Sequence, residues 1–65
     1  MQKFYTNINI ESTNPIIWSD IQHKILKYEH NLIDSGFYKD KYKVTFSIAY
    51  KNEEELQFIN HILNI

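Results

Sequence analysis

Asn14-Pro15-Ile16-Ile17-Trp18-Ser19-Asp20-Ile21-Gln22-His23-Lys24-Ile25-Leu26-Lys27-Tyr28-Glu29-His30-Asn31-Leu32-Ile33-Asp34-Ser35-Gly36 decides how this chain is read. Asn14 suits a helix N-cap, and Pro15 is pre-set for the first helical position. At about 100° per residue, Ile17, Trp18, Ile21, Ile25, Tyr28 and Leu32 fall within an arc of roughly 100°. Asp20, His23, Lys24, Lys27, His30, Asn31 and Asp34 lie opposite. The spacing predicts one helix over 15–34, about 30 Å long. Gly36, after Asp34 and Ser35, is its expected left-handed terminator.

Outward from this stretch the pattern changes to period two. Phe4, Thr6, Ile8 and Ile10 alternate with Tyr5, Asn7, Asn9 and Glu11, which reads as a half-buried strand. Val44, Phe46, Ile48 and Tyr50 alternate with Lys43, Thr45, Ser47 and Ala49, which reads as another. Lys39-Asp40 has the length of a tight turn, leaving room for a short third strand at Phe37-Tyr38. Asn52 then caps a second helix, with Glu53, Glu54 and Glu55 in its first turn and Leu56, Ile59, Ile62 and Leu63 on its inner face.

The expected fold is an α/β (α+β) two-layer sandwich, β-α-β-α, with a small two- or three-stranded sheet and helices mainly on one face. Residues 1–65 form a single small domain. A helix of 30 Å returns the chain along the first strand, so the second strand is expected parallel to it by a right-handed crossover. The expected core holds Phe4, Ile8, Ile10, Trp18, Ile21, Ile25, Tyr28, Leu32, Val44, Phe46, Ile48, Leu56, Ile59 and Leu63. The other sheet face would carry Tyr5, Asn7, Asn9, Thr45, Ser47 and Ala49, polar and solvated.

Composition excludes whole classes. The chain has 65 residues, with no Cys and a single Gly. That removes disulfide frameworks, thiolate zinc sites, thiol nucleophiles and glycine-rich phosphate loops. Seven Lys stand against eight acidic residues, a net charge of −1, which is neither a strongly basic nucleic-acid binder nor an acidic mimic. Abundant Ile, Asn, Lys, Tyr and Phe match AT-rich codons, so a microbe, phage or mobile element is the expected source. The amino-terminal residues lack the apolar stretch of a signal peptide, and no apolar run reaches the length of a membrane span. A cytoplasmic protein with no membrane partner is expected. A chain this short buries only about 60% of its unfolded surface, so oligomerisation is the expected compensation.

Candidate chemistry is sparse. His23 and His30 share a face of the predicted helix, but about 10.5 Å apart along its axis, too far for one metal ion. Pairs such as Asp20 with His23, or His30 with Asp34, supply only two ligands or one acid–base couple; an enzyme built on them is the least favoured reading. Helix capping accounts for Glu53, Glu54 and Glu55. No catalytic residue, cofactor or metal site is expected.

Two features point to binding. Leu26 and Ile33 lie seven apart on a flank of the predicted helix, and either the second helix or a partner covers them. Phe37-Tyr38-Lys39-Asp40-Lys41-Tyr42-Lys43 interleaves rings with cations. The favoured function is a non-catalytic protein-binding module, a small inhibitor of immunity, antitoxin or anti-defence type that blocks a larger protein and forms a homodimer. Leu26, Ile33, Phe37, Tyr38 and Tyr42 would make the contact. The alternative is a single-stranded nucleic-acid binder using Lys39, Lys41 and Lys43 with the neighbouring tyrosines.

Overall fold

In a computed structural model that describes residues 3–64, the chain forms an α+β fold. Met1, Gln2 and Ile65 lie outside the described residues. The order is β1 (Phe4–Ser12), α1 (Trp18–Ile25), β2 (His30–Tyr38), β3 (Lys41–Tyr50) and α2 (Glu53–Leu63). The sheet has three strands in the order β1-β3-β2, and β3 is antiparallel to both neighbours.

The β-α-β-α order and the parallel crossover are therefore corrected to β-α-β-β-α with an antiparallel sheet. The predicted helix over 15–34 is two elements. Its start fails because the Asn14 N–H donates to Ser12 Oγ at 3.0 Å, which holds a local turn. Helix begins three residues after Pro15, behind Ile17, which has no side-chain cap. Its end comes at Ile25. Tyr28 N–H closes a tight turn on Ile25 C=O at 3.0 Å, and Tyr28 sinks into the core. Glu29 C=O then accepts Ala49 N–H at 2.8 Å, which draws the chain onto the edge of β3.

Lys39 and Asp40 make the expected turn, with φ of 51° and 65°. Positive φ at both central residues is the hairpin geometry that matches strand twist. It fixes β2 and β3 as antiparallel neighbours.

Directly opposite residues share a face, so Phe4, Thr6, Ile8 and Ile10 of β1 lie with Tyr50, Ile48, Phe46 and Val44 of β3. Ile21 and Ile25 of α1, and Ile59 and Leu63 of α2, pack with Ile8, Val44, Phe46 and Ile48 in one core. Trp18 meets Phe46 with ring centroids 5.3 Å apart. Phe4 and Leu32, expected inside, are 52% and 39% exposed because they stand on edge strands at the core margin.

Asn52 caps α2 as expected: Asn52 Oδ1 accepts the Glu55 N–H at 2.9 Å. Glu55 Oε1 in turn accepts the Lys51 N–H at 2.8 Å. The other sheet face is open and polar, apart from Ala49, which is buried. Tyr5 stands opposite Ala49, and its hydroxyl donates to Glu29 at 2.8 Å. The ring therefore crosses β3 over the smallest side chain of that strand.

The helices cannot cover the whole core face. At 1.5 Å per residue, the eight residues of α1 span about 12 Å and the eleven of α2 about 17 Å, whereas the ten of β3 span about 33 Å at 3.3 Å each. The molecule measures 41 × 19 × 18 Å, and at the hairpin end Phe37, Tyr38 and Lys41 stay exposed.

Candidate functional site

β2 is the exceptional element. Among its residues only His30 and Gly36 are even half-buried. Yet four of the nine large exposed hydrophobic residues among the described residues lie on it: Leu32, Ile33, Phe37 and Tyr38. It borders β3 on one side only. Its other edge offers unpaired backbone N–H and C=O groups, as any edge strand does.

Two-fold alternation along β2 is interrupted. Leu32 pairs with Phe46 and Asp34 with Thr45, so Ile33 is an extra residue in a bulge. Beyond it, Ser35 and Phe37 share the helix side with Val44 and Tyr42, while Asp34, Gly36 and Tyr38 share the open side with Thr45, Lys43 and Lys41.

Phe37 and Tyr42 are cross-strand partners with ring centroids 4.7 Å apart. With Ile16, Ser35 and Val44 they line a shallow depression of about 280 Å³ at the bare end of the core face. On the open side the Tyr38 ring lies over Gly36, where an added Cβ would meet Tyr38 Cε2 at 2.8 Å. Gly36 lies inside β2 without a positive φ, so its expected role as a helix terminator is corrected, and a Cβ there would displace only the exposed end of the Tyr38 ring.

The sequence-predicted contact residues divide. Phe37, Tyr38 and Tyr42 come together at the hairpin, with Tyr38 on the opposite face from the other two. Leu26 and Ile33 do not form a stripe. Leu26 caps α1, which ends at Ile25, and is 65% exposed, while Ile33 sits in the β2 bulge, so no helix face joins them. Leu32 and the free edge around Ser35 were missed. The adjacent pair Leu32-Ile33, which breaks strand alternation, is the signal of the bulge.

The nucleic-acid set is also divided. Lys41 and Lys43 share the open face with Tyr38, but Tyr42 is on the other face and Lys39 is in the turn. Glu11 stands opposite Lys43, Asp34 shares that face, and Asp40 sits beside Lys39, so local acids offset the lysines.

His30 lies in β2, so the helical pairings of His30 with His23 and with Asp34 do not form. His30 Nδ1 donates to Tyr28 C=O at 2.8 Å, which leaves Nε2 to accept from Gln22 Nε2 at 3.3 Å. The imidazole is thereby held as a bracket between α1 and β2. Among the described residues, no three His, Asp or Glu side chains are grouped to hold a metal ion. No helix among the described residues is long and apolar enough to cross a membrane.

A second hollow, of about 300 Å³, lies at the opposite end between Lys3, Lys27, Tyr28, Tyr50 and Lys51. Its lysines are in part engaged: Lys3 Nζ is 4.0 Å from Glu29, and Lys27 Nζ lies 5.2 Å from the Phe58 ring centroid.

Compared with protein-family models, curated proteins and solved structures, the chain finds no match.

Proposed function

We propose that this chain is a non-catalytic protein-binding module, and that it acts as a small inhibitor by covering a site on a larger protein. One observation carries the reading: large apolar side chains are concentrated on an edge strand whose backbone is open to pairing. Strand addition uses such an edge for affinity and the flanking side chains for selectivity. The Phe37–Tyr42 pair supplies the anchor, since buried aromatics dominate binding energy at protein interfaces. Blocking needs only a surface, which suits a chain of 65 residues. Residue usage suggests an AT-rich phage or mobile element, and the lack of cysteine suits a reducing cytosol.

The test is capture from a host lysate by tagged protein, with and without nuclease, beside Phe37→Ala/Tyr42→Ala. One stoichiometric protein that survives nuclease and is lost with the double variant is the expected result. Material lost on nuclease treatment, with steep salt dependence, would move the reading to single-stranded nucleic acid through Lys39, Lys41 and Lys43. Equal capture by the double variant would sink the site assignment.

A further inference from the structure

We infer that the free edge of β2 pairs with β2 of a second copy of this chain, antiparallel, with Ser35 opposite Ser35 across a two-fold axis. This rests on the reading of the chain as a protein-binding module and names the first partner of that surface.

The hairpin sets which backbone groups are free. Residues flanking a two-residue turn form a hydrogen-bonded pair, and the pattern then alternates along the strands. Tyr38, Gly36 and Asp34 therefore turn their N–H and C=O toward β3, while Phe37 and Ser35 turn theirs outward. A second strand must bring outward groups opposite outward groups. For an antiparallel two-fold pair this permits axes at whole residues only: Asp34, Ser35, Gly36 or Phe37.

Side chains choose among these four. An axis at Asp34 sets Asp34 against its own copy, and like charges directly opposite are destabilising. An axis at Phe37 leaves only Gly36, Phe37 and Tyr38 to pair, because β2 ends at Tyr38. An axis at Gly36 sets Asp34 against Tyr38 and Ser35 against Phe37, polar against aromatic. Among the registers that pair more than three residues, only the axis at Ser35 opposes apolar to apolar, Ile33 to Phe37 twice over, while Asp34 meets Gly36 and carries no clash. The bulge at Ile33 ends the regular edge, so pairing is confined to 33–37 and cannot slip along the strand. The contact is isologous, so it closes as a dimer. It also joins each Phe37–Tyr42 pair to Ile33 of the other copy, which makes one continuous apolar band across the new sheet.

The experiment is light scattering on the full chain, coupled to size exclusion, near millimolar concentration. The expected mass is two chains of 7.9 kDa each. Ile33→Glu and Phe37→Lys should each run as one chain, and their equimolar mixture should recover two. In that mixed pair one contact becomes Glu to Lys and the other stays Phe to Ile. Should either variant lose its circular dichroism, Ser35→Pro serves instead. It removes an outward N–H without touching the β3 ladder, and proline is tolerated on such edges. A folded Ser35→Pro variant that stays dimeric, a wild type that runs as one chain, or a mixture that does not recover would each overturn the inference. A monomeric wild type that still captures one protein from lysate would leave the binding-module reading standing; a dimer that captures none would count against that reading alone.

Discussion

Ile8 and Leu32 stand on either side of the same residue, both directly opposite Phe46 of β3. Ile8 is 6% exposed and Leu32 is 39% exposed. Both belong to antiparallel ladders on one central strand, so backbone pairing alone does not decide burial. The difference is what lies above. α1 and α2 pack over the core formed with Ile8 and β3, while β2 projects from that cover. The β1 side is held by packing, worth about 1.5–3 kcal/mol per buried aliphatic side chain. The β2 side is held mainly by ladder hydrogen bonds, worth about 1 kcal/mol each. A strand stabilised in this way does not have to bury its apolar side chains, and Leu32, Ile33, Phe37 and Tyr38 stay exposed.

The largest test of that contrast is truncation along this one row of the sheet. Phe46→Ala removes a fully buried ring and should cost about 3–5 kcal/mol. A chain of this size has only about 3–10 kcal/mol in total, so that variant should be largely unfolded. Ile8→Ala should cost about 2–4 kcal/mol and Leu32→Ala about 1 kcal/mol or less. Urea denaturation in a Ser35→Pro background separates folding from self-association. Equal losses for Ile8→Ala and Leu32→Ala would break the comparison.

Next in size is the turn that joins β2 to β3. Lys39 and Asp40 hold φ of 51° and 65°, a region that costs most residues about 1 kcal/mol. Lys39→Asn with Asp40→Gly should therefore stabilise the hairpin by about 1–2 kcal/mol. Because the gain is local, hydrogen exchange should slow most in residues 34–38 and 41–45. Uniform slowing across β1 as well would mean that β2 is not the weaker partner.

The same contrast explains what could be read in advance. β1, β3, the Lys39-Asp40 turn and the Asn52 cap were legible, because each depends on neighbouring residues or on period two. Phe37-Tyr38 was legible as strand for the same reason. The rest of β2 was not. The bulge at Ile33 puts Leu32 and Phe37, five positions apart, on one side of the sheet, so strand alternation is absent from the sequence. Leu32 also falls where a helix continuing from Ile25 and Tyr28 would place an apolar residue, so helical periodicity ran on past the true end. What stopped the helix was tertiary: Glu29 C=O bound to Ala49, Tyr28 buried, and His30 bridging Tyr28 and Gln22. The candidate site was half legible for this reason. Its aromatic hairpin is local in sequence, whereas its free edge exists only once β3 has paired with both neighbours.

The smallest expected effect concerns the side-chain link across the open face, from the packed edge to the approach of the exposed one. Tyr5 of β1 donates its hydroxyl to Glu29, which leads into β2. That hydrogen bond to Glu29, then the repulsion between its carboxylate and a phenolate, and least of all burial, raise the Tyr5 pKa above its ordinary value. A group whose pKa is higher in the fold than in the unfolded chain stabilises the fold at every pH below the unfolded value. The link is therefore intact at neutral pH and is lost as pH climbs through the raised pKa, above about 10. Tyr5 is exposed, so solvent keeps its contribution to stability small. Following the Tyr5 ring resonances by NMR should give a midpoint above that of a free phenol, and Glu29→Gln should lower it. An unchanged midpoint in Glu29→Gln would mean that Tyr5 does not tie the two edges together, and that β2 is joined to the rest of the molecule by β3 and the His30 bracket.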